Sequence, residues 1–244
     1  MPAKYLRDIH FSIESKTYPP AGKSISDAII TLHRANGLRN FIFQRLHHEK
    51  TILEVGVRDV RIQLKDTPDP EPQIYKDSET KLLCIDIDYD PNQLYHVDEK
   101  NQVLGPLFVS LTREALTKVT HIGDFPFSLI EEALEAYEEA GYCYKFKAGE
   151  RTIPGTKLKG AVFGELSCES LLRKLVISYR GKKLVERVIA NQELIPVYYN
   201  HFPNFRLKGY EMFIGSEITD RNLATVDLSN DAEVVEIIDR FKQI

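Results

Sequence analysis

Between residues 142 and 199 the chain breaks into five short β-patterned segments, at 142–147, 158–164, 174–180, 183–189 and 194–199. The joints between them are too short to hold crossover helices, so consecutive segments pair antiparallel. Arg180-Gly181-Lys182 is the sharpest joint and turns one hairpin. This half of the chain directs it to an α+β class dominated by antiparallel strands, a barrel or packed sheets, with two or three peripheral helices.

The first half is less uniform. Tyr5 to Ile13 reads as an opening strand, and Pro19-Pro20-Ala21-Gly22 then breaks regular structure. Residues 24–46 admit two readings. Ser24 with Asp27 caps a helix carrying Ile25, Ala28, Ile29 and Leu32 on one face. Alternatively Asn36-Gly37 turns a hairpin between 28–32 and 38–44, and the β-favouring Ile29, Ile30, Phe41, Ile42 and Phe43 tilt the reading that way. Residues 51–64 alternate as one bent strand or two, with Gly56 at a bulge. Pro68-Asp69-Pro70-Glu71-Pro72 is a loop, 81–89 a strand, and 103–111 with 116–122 a further strand pair. Two helices stand out. One spans 128–140, with a Ser128/Glu131 capping box, a stop at Gly141 and a buried face of Leu129, Ala133, Leu134 and Tyr137. The other spans 231–242, with Val234, Val235, Ile237, Ile238 and Phe241 on its apolar face.

The 244 residues suit one large domain or two small ones, and a hydrophobic content of 43% supports a sizeable core. No composition shift separates two cores, so a single domain over 1–244 is expected, with the helix at 231–242 as an appendage. A net charge of −4 argues against non-specific duplex binding but leaves room for a local anion site. Cys84, Cys143 and Cys168 are odd in number and lack metal-ligand spacing. Together with the absence of an apolar signal core or membrane-length run, they place the expected location in the cytoplasm.

No Walker loop, G-x-G-x-x-G, G-x-S-x-G or H-E-x-x-H occurs. Asp86, Asp88 and Asp90 alternate along a strand, either as a solvated acidic face or as hard-oxygen ligands; His47-His48 are adjacent and diverge. No metal or cofactor is assigned. Ile153-Pro154-Gly155-Thr156-Lys157-Leu158-Lys159-Gly160 sets Lys157 and Lys159 beside a Pro-Gly turn, where free amides and ammonium groups can cradle phosphate.

Three stretches resemble the poxins, viral and insect nucleases that cleave cyclic GMP–AMP: Ile9-His10 ahead of 29–32, Val162-Phe163-Gly164-Glu165-Leu166 leading to Lys174, and Gly181-Lys182-Lys183-Leu184-Val185 running to Pro196. They cover about a third of the chain. The resemblance implies a metal-independent phosphodiesterase acting on a cyclic dinucleotide, or a relative that only binds one. His10 falls at the catalytic histidine and Lys174 at the catalytic lysine. Ser170 stands where the family has its tyrosine, so Tyr179 is the substitute acid, and Arg173 joins Lys174 as a phosphate-binding cation. Two alternatives stand beside it. The eight residues 153–160 resemble a segment of the repeat-associated RNA-binding proteins of CRISPR complexes, which implies a ferredoxin-like sheet, an RNA partner and a basic groove at Lys157 and Lys159. The other is a non-enzymatic interaction protein of viral origin, marked by an exposed apolar patch.

Overall fold

The computed structural model describes residues 5–13, 22–53, 56–77, 80–96, 103–193, 203–216 and 222–242. Where sequence pointed to one domain, the chain groups into two compact units, Met1–Tyr144 and Lys145–Ile244. The class is α+β, with five α-helices among the described residues.

The first unit rests on strands β1 (Asp8–Ile13), β2 (Val57–Lys65), β3 (Gln73–Asp77) and β4 (Thr80–Asp88), arranged β1-β2-β4-β3. β1 and β2 run parallel, as do β2 and β4, while β3 pairs antiparallel with β4. This sheet is therefore mixed. Parallel neighbours need a crossover, and the residues between β1 and β2 supply one as α1 (Ile25–His33) and α2 (Asn36–Glu49).

The hairpin expected at 24–46 is thus a helix pair. The Ser24 backbone N–H donates to Asp27 Oδ2 at 2.7 Å and its hydroxyl to the same oxygen at 3.1 Å, which fixes the start of α1. Asn36-Gly37 opens α2 instead of turning a hairpin. The decisive signal is Leu38, Ile42 and Leu46, spaced by four and almost wholly buried. Burial of that stripe outweighs the β preference of its aromatic neighbours.

The strand pair expected at 103–122 is likewise one helix, α3 (Leu104–Lys118), burying Leu104, Phe108, Leu111 and Ala115. α4 (Phe127–Glu139) matches the expected helix within a residue and ends at Gly141, whose φ is +64°. It buries Ile130, Ala133, Leu134 and Tyr137. Ser128 does not cap it. The helix begins one residue earlier, and Glu131 instead pairs with Arg113 of α3 at 2.6 Å.

The second unit holds a four-stranded sheet, β5 (Tyr144–Thr152), β6 (Lys159–Leu166), β7 (Ser170–Tyr179) and β8 (Lys182–Glu193), in sequential order. The hairpin joint is as read: Arg180 and Gly181 both take positive φ, +49° and +82°. A second sheet of β9 (Pro203–Lys208), β10 (Glu211–Ser216) and β11 (Asn222–Asp227) is antiparallel throughout, and α5 (Ala232–Lys242) follows. The strand expected at 194–199 lies outside the described residues. One core joins both sheets and the helix: Leu175 and Ile177, Phe205 and Met212, Val234 and Ile238. α5 is therefore a wall of this core and not an appendage. The sheets pack without closing into a barrel among the described residues.

Candidate functional site

β1 is an edge strand, and alternation sets Asp8, His10 and Ser12 on one face. On the other face, Ile9 is 4% exposed and Phe11 meets the Phe108 ring at 5.0 Å between centroids. α2 is tied to this strand by Arg39, whose Nε donates to both Asp8 carboxylate oxygens at 2.9 Å while Nη2 donates to Oδ2. Between β1, α1 and α2 lies a cleft of about 410 Å³, within the size range of small-molecule sites. Phe11, Ile13, Ile29 and Leu32 give it apolar walls; His10, Ser12, His33, Asn36 and Arg39 supply its polar groups.

Two buried polar atoms of this cleft, His10 Nδ1 and Ser12 Oγ, have no hydrogen-bond partner among the described residues. Buried polar groups are nearly always satisfied, so the pair marks a candidate position for a bound water or ligand. Burial holds the His10 imidazole below its ordinary value of 6.5; Arg39 and Arg61 act in the same direction, and Asp8 and Asp59 oppose them. His33 is lowered as well, by burial and then by Arg39, and its Nδ1 lies 3.4 Å from Asn36 Nδ2. The cleft thus presents two imidazoles biased toward the neutral form, next to a guanidinium whose direction Asp8 sets. That set can accept a proton, and it can orient an oxyanion.

Of the six residues named from sequence, only His10 lies in the first unit. Lys174 sits on the outward face of β7 and donates to Glu165 at 2.6 Å. Arg173, 8% exposed, points to the opposite, core-facing side. Tyr179 packs against the core under the Arg180 guanidinium, 5.2 Å from its ring centroid. It is also five residues from Lys174, roughly 16 Å along a strand. Lys174 and Tyr179 therefore do not converge on one phosphate. Lys157 Nζ lies 5.4 Å over the Phe241 ring, and Lys159 Nζ is 3.5 Å from Glu150. The Pro-Gly turn ahead of them is closed on itself: Thr156 N–H donates to the Ile153 carbonyl and Leu158 N–H to Thr156 Oγ. It is a connection between strands, not a phosphate cradle, and the sheet beside it is a meander instead of the ferredoxin-like order.

The acidic alternation resolves in the same way. Asp86, 6% exposed, is paired with Lys65 at 2.5 Å, Asp88 is exposed, and Asp90 accepts from the Asn92 N–H at 2.9 Å. Among the described residues no three His, Cys, Asp or Glu side chains gather as a metal site.

Sequence reasoning missed His33, Asn36 and Arg39 because it favoured a hairpin there, and Ser12 because a serine on a strand carries no mark of its own. The Ser24/Asp27 capping signal was the available correction: once 25–33 is a helix, His33 and Asn36 fall at its end, facing the strand before it. No family model matches the chain, no curated protein matches it, and no solved structure matches its fold.

Proposed function

We propose that the cleft beside β1 binds a ribonucleotide phosphodiester and that His10 is the general base for its cleavage. The observation that carries this reading is the buried, unpartnered Nδ1 of His10, a residue that lines an apolar-walled cleft. In this scheme His10 takes the proton from a ribose 2′-hydroxyl. The freed oxygen attacks the adjacent phosphorus, and the 5′-oxygen leaves with a proton from His33 in its imidazolium form. The products are a 2′,3′-cyclic phosphate and a 5′-hydroxyl. Arg39 spends Nε and Nη2 on Asp8, which leaves Nη1 to meet a non-bridging phosphate oxygen. Ile29, Leu32 and Phe11 receive the sugar and base. The scheme needs no metal ion, and it moves to the first unit the roles that the poxin resemblance gave to Lys174 and Tyr179. A cyclic dinucleotide is the substrate that resemblance favours.

The test is incubation with mixed-linkage cyclic GMP–AMP and with the dinucleotide ApA in EDTA, beside a His10→Gln variant. Product with a cyclic phosphate end is expected, with a rate loss of about 10²–10⁴ in the variant. No cleavage, and no thermal shift from either compound, retires the nucleotide reading. It would then favour the interaction protein, which draws its own support from edge strand β3, where Ile74 and Tyr75 are 45% and 52% exposed.

A further inference from the structure

The row of residues across the sheet at His10 continues into β2 and β4 as Arg61 and Cys84. Partners in register share a face, so Arg61 flanks His10, and its charge is felt there. Arg61 is half-buried; its Nε is fully covered, has no hydrogen-bond partner and forms no ion pair among the described residues. Ser12, one step along β1, has its hydroxyl in the same state.

Covering a guanidinium Nε–H without giving it an acceptor is costly. The carboxylates around it are placed elsewhere: Asp8 is held by Arg39, and Asp86 by Lys65. Asp59 lies two residues back along β2, beside Asp8 in register. On the far side of His10 from Asp8 and Asp59, the next row of the face carries Ser12, Gln63 and Asp86, and the Asp86 carboxylate is already taken by Lys65. Cys84, the neighbour on β4, is buried and kept in its thiol form.

We infer that Arg61 and Ser12 form a second anion subsite at the margin of the cleft, where Ser12 lines it and Arg61 stands beside His10 in the ladder, so that the ligand presents two phosphate groups, one held by Arg39 and one by this pair. This rests on the reading of the cleft as a phosphodiester site and narrows its substrate to one bearing a second phosphate. Successive residues on one face of β1 are about 6–7 Å apart, a step comparable with the spacing of neighbouring phosphates in an extended nucleotide. Arg39 takes the diester that reacts. Arg61 Nε and Ser12 Oγ donate to the other phosphate, and His10 Nδ1 keeps its lone pair for the proton.

The experiment separates binding from cleavage. ApA and 5′-phosphorylated pApA, each methylated at the reacting 2′-oxygen so that neither is cleaved, are titrated by calorimetry into the full chain. Wild type should bind the phosphorylated form about 10–100-fold more tightly, the range of a charge-assisted hydrogen bond to a buried donor. Arg61→Gln should erase that gap and leave affinity for methylated ApA within about twofold. Ser12→Ala, which removes a single oxygen, should narrow the gap severalfold and covers the case in which Arg61→Gln does not fold. Equal wild-type affinity for the two compounds, or a gap that survives both substitutions, overturns the inference, as does binding of neither. Unmethylated pApA is scored separately. An Arg61-dependent gap without cleavage supports the subsite and removes the catalytic reading. Cleavage of ApA with no gap keeps catalysis and removes the subsite.

Discussion

Truncating Asp86 to alanine distinguishes an ion-paired strand residue from a cation ligand, and its cost follows from the structure. Asp86 is 6% exposed and Lys65 14%, with Nζ and carboxylate 2.5 Å apart. Asp86 Oδ2 also accepts the Asp69 backbone N–H at 3.1 Å. Removing one member of such a pair costs about 3–5 kcal/mol, chiefly because the other charge stays buried. Asp69, 3.6 Å from the same ammonium but half-exposed, retains part of the neutralisation. The expected loss is therefore near the lower end, about 3 kcal/mol, a large share of the roughly 5–15 kcal/mol of a typical domain. For a unit of this size that is a fall in melting temperature of about 10–15 °C, read by circular dichroism with urea unfolding alongside. Replacing both partners, Asp86→Leu with Lys65→Met, should return stability to within about 1 kcal/mol of wild type, since no charge is then stranded. The reasoning fails if Asp86→Ala costs under about 1 kcal/mol. It fails equally if magnesium or calcium raises the wild-type melting temperature and the effect disappears in the variant.

The rate of diester cleavage should peak below pH 6.5, because His10 must be neutral and His33 protonated and both are held below that value; a maximum above pH 7.5 would contradict the assignment. The same two shifts bear on stability: the unfolded chain binds more protons than the fold below pH 6.5, so the first unit should weaken as pH falls from there through the two lowered values, seen as a declining urea midpoint. Gly164→Ala places a methyl 2.2 Å from Phe146 Cζ; this overpacking should cost about 1–3 kcal/mol, and Phe146→Leu should recover most of it in a double-mutant cycle. Ser24→Ala removes the hydroxyl half of the α1 cap and should cost about 1 kcal/mol, while the same change at the exposed Ser128, which does not cap α4, should stay within about 0.5 kcal/mol.

The parts of the fold legible in sequence are those where one local rule acts alone. The Arg180-Gly181 joint forms because two successive positive φ values are hard to reach without glycine, and the flanking runs have strand period. α5 and α4 were legible from their apolar stripes and, for α4, from Gly141. Residues 36–46 went the other way because two rules conflict there. Asn-Gly and a run of β-favouring aromatics speak for a hairpin, while Leu38, Ile42 and Leu46 speak for a helix. Burial of three large side chains is worth several kcal/mol, against about 1 kcal/mol over the whole strand-propensity scale. Period deserved the greater weight, and the same holds for α3. β3 was lost because it is only five residues long, behind a proline-rich loop, with no period to read.

The candidate site was legible in one residue of its set, and the reason is geometric. His10 could be named only through the resemblance of Ile9-His10 ahead of 29–32 to the poxins. Arg39 and His33 carry no local mark; they become site residues only when the helices between β1 and β2 fold back on the strand, and parallel pairing of β1 with β2 is what forces that return. Arg61 is further still from any pattern, fifty-one positions from His10 and beside it only through the ladder register. Lys157, Lys159 and Lys174 were attractive as charges near glycine turns, yet Lys159 and Lys174 have a carboxylate across the sheet and Lys157 an aromatic ring. A cation near a turn is evidence of an anion site only when nothing in the fold already answers its charge. Among the described residues, three buried polar atoms without a partner lie side by side on one face of the sheet, at His10, Ser12 and Arg61, and that is where substitution and ligand titration have the most power to decide what the protein does.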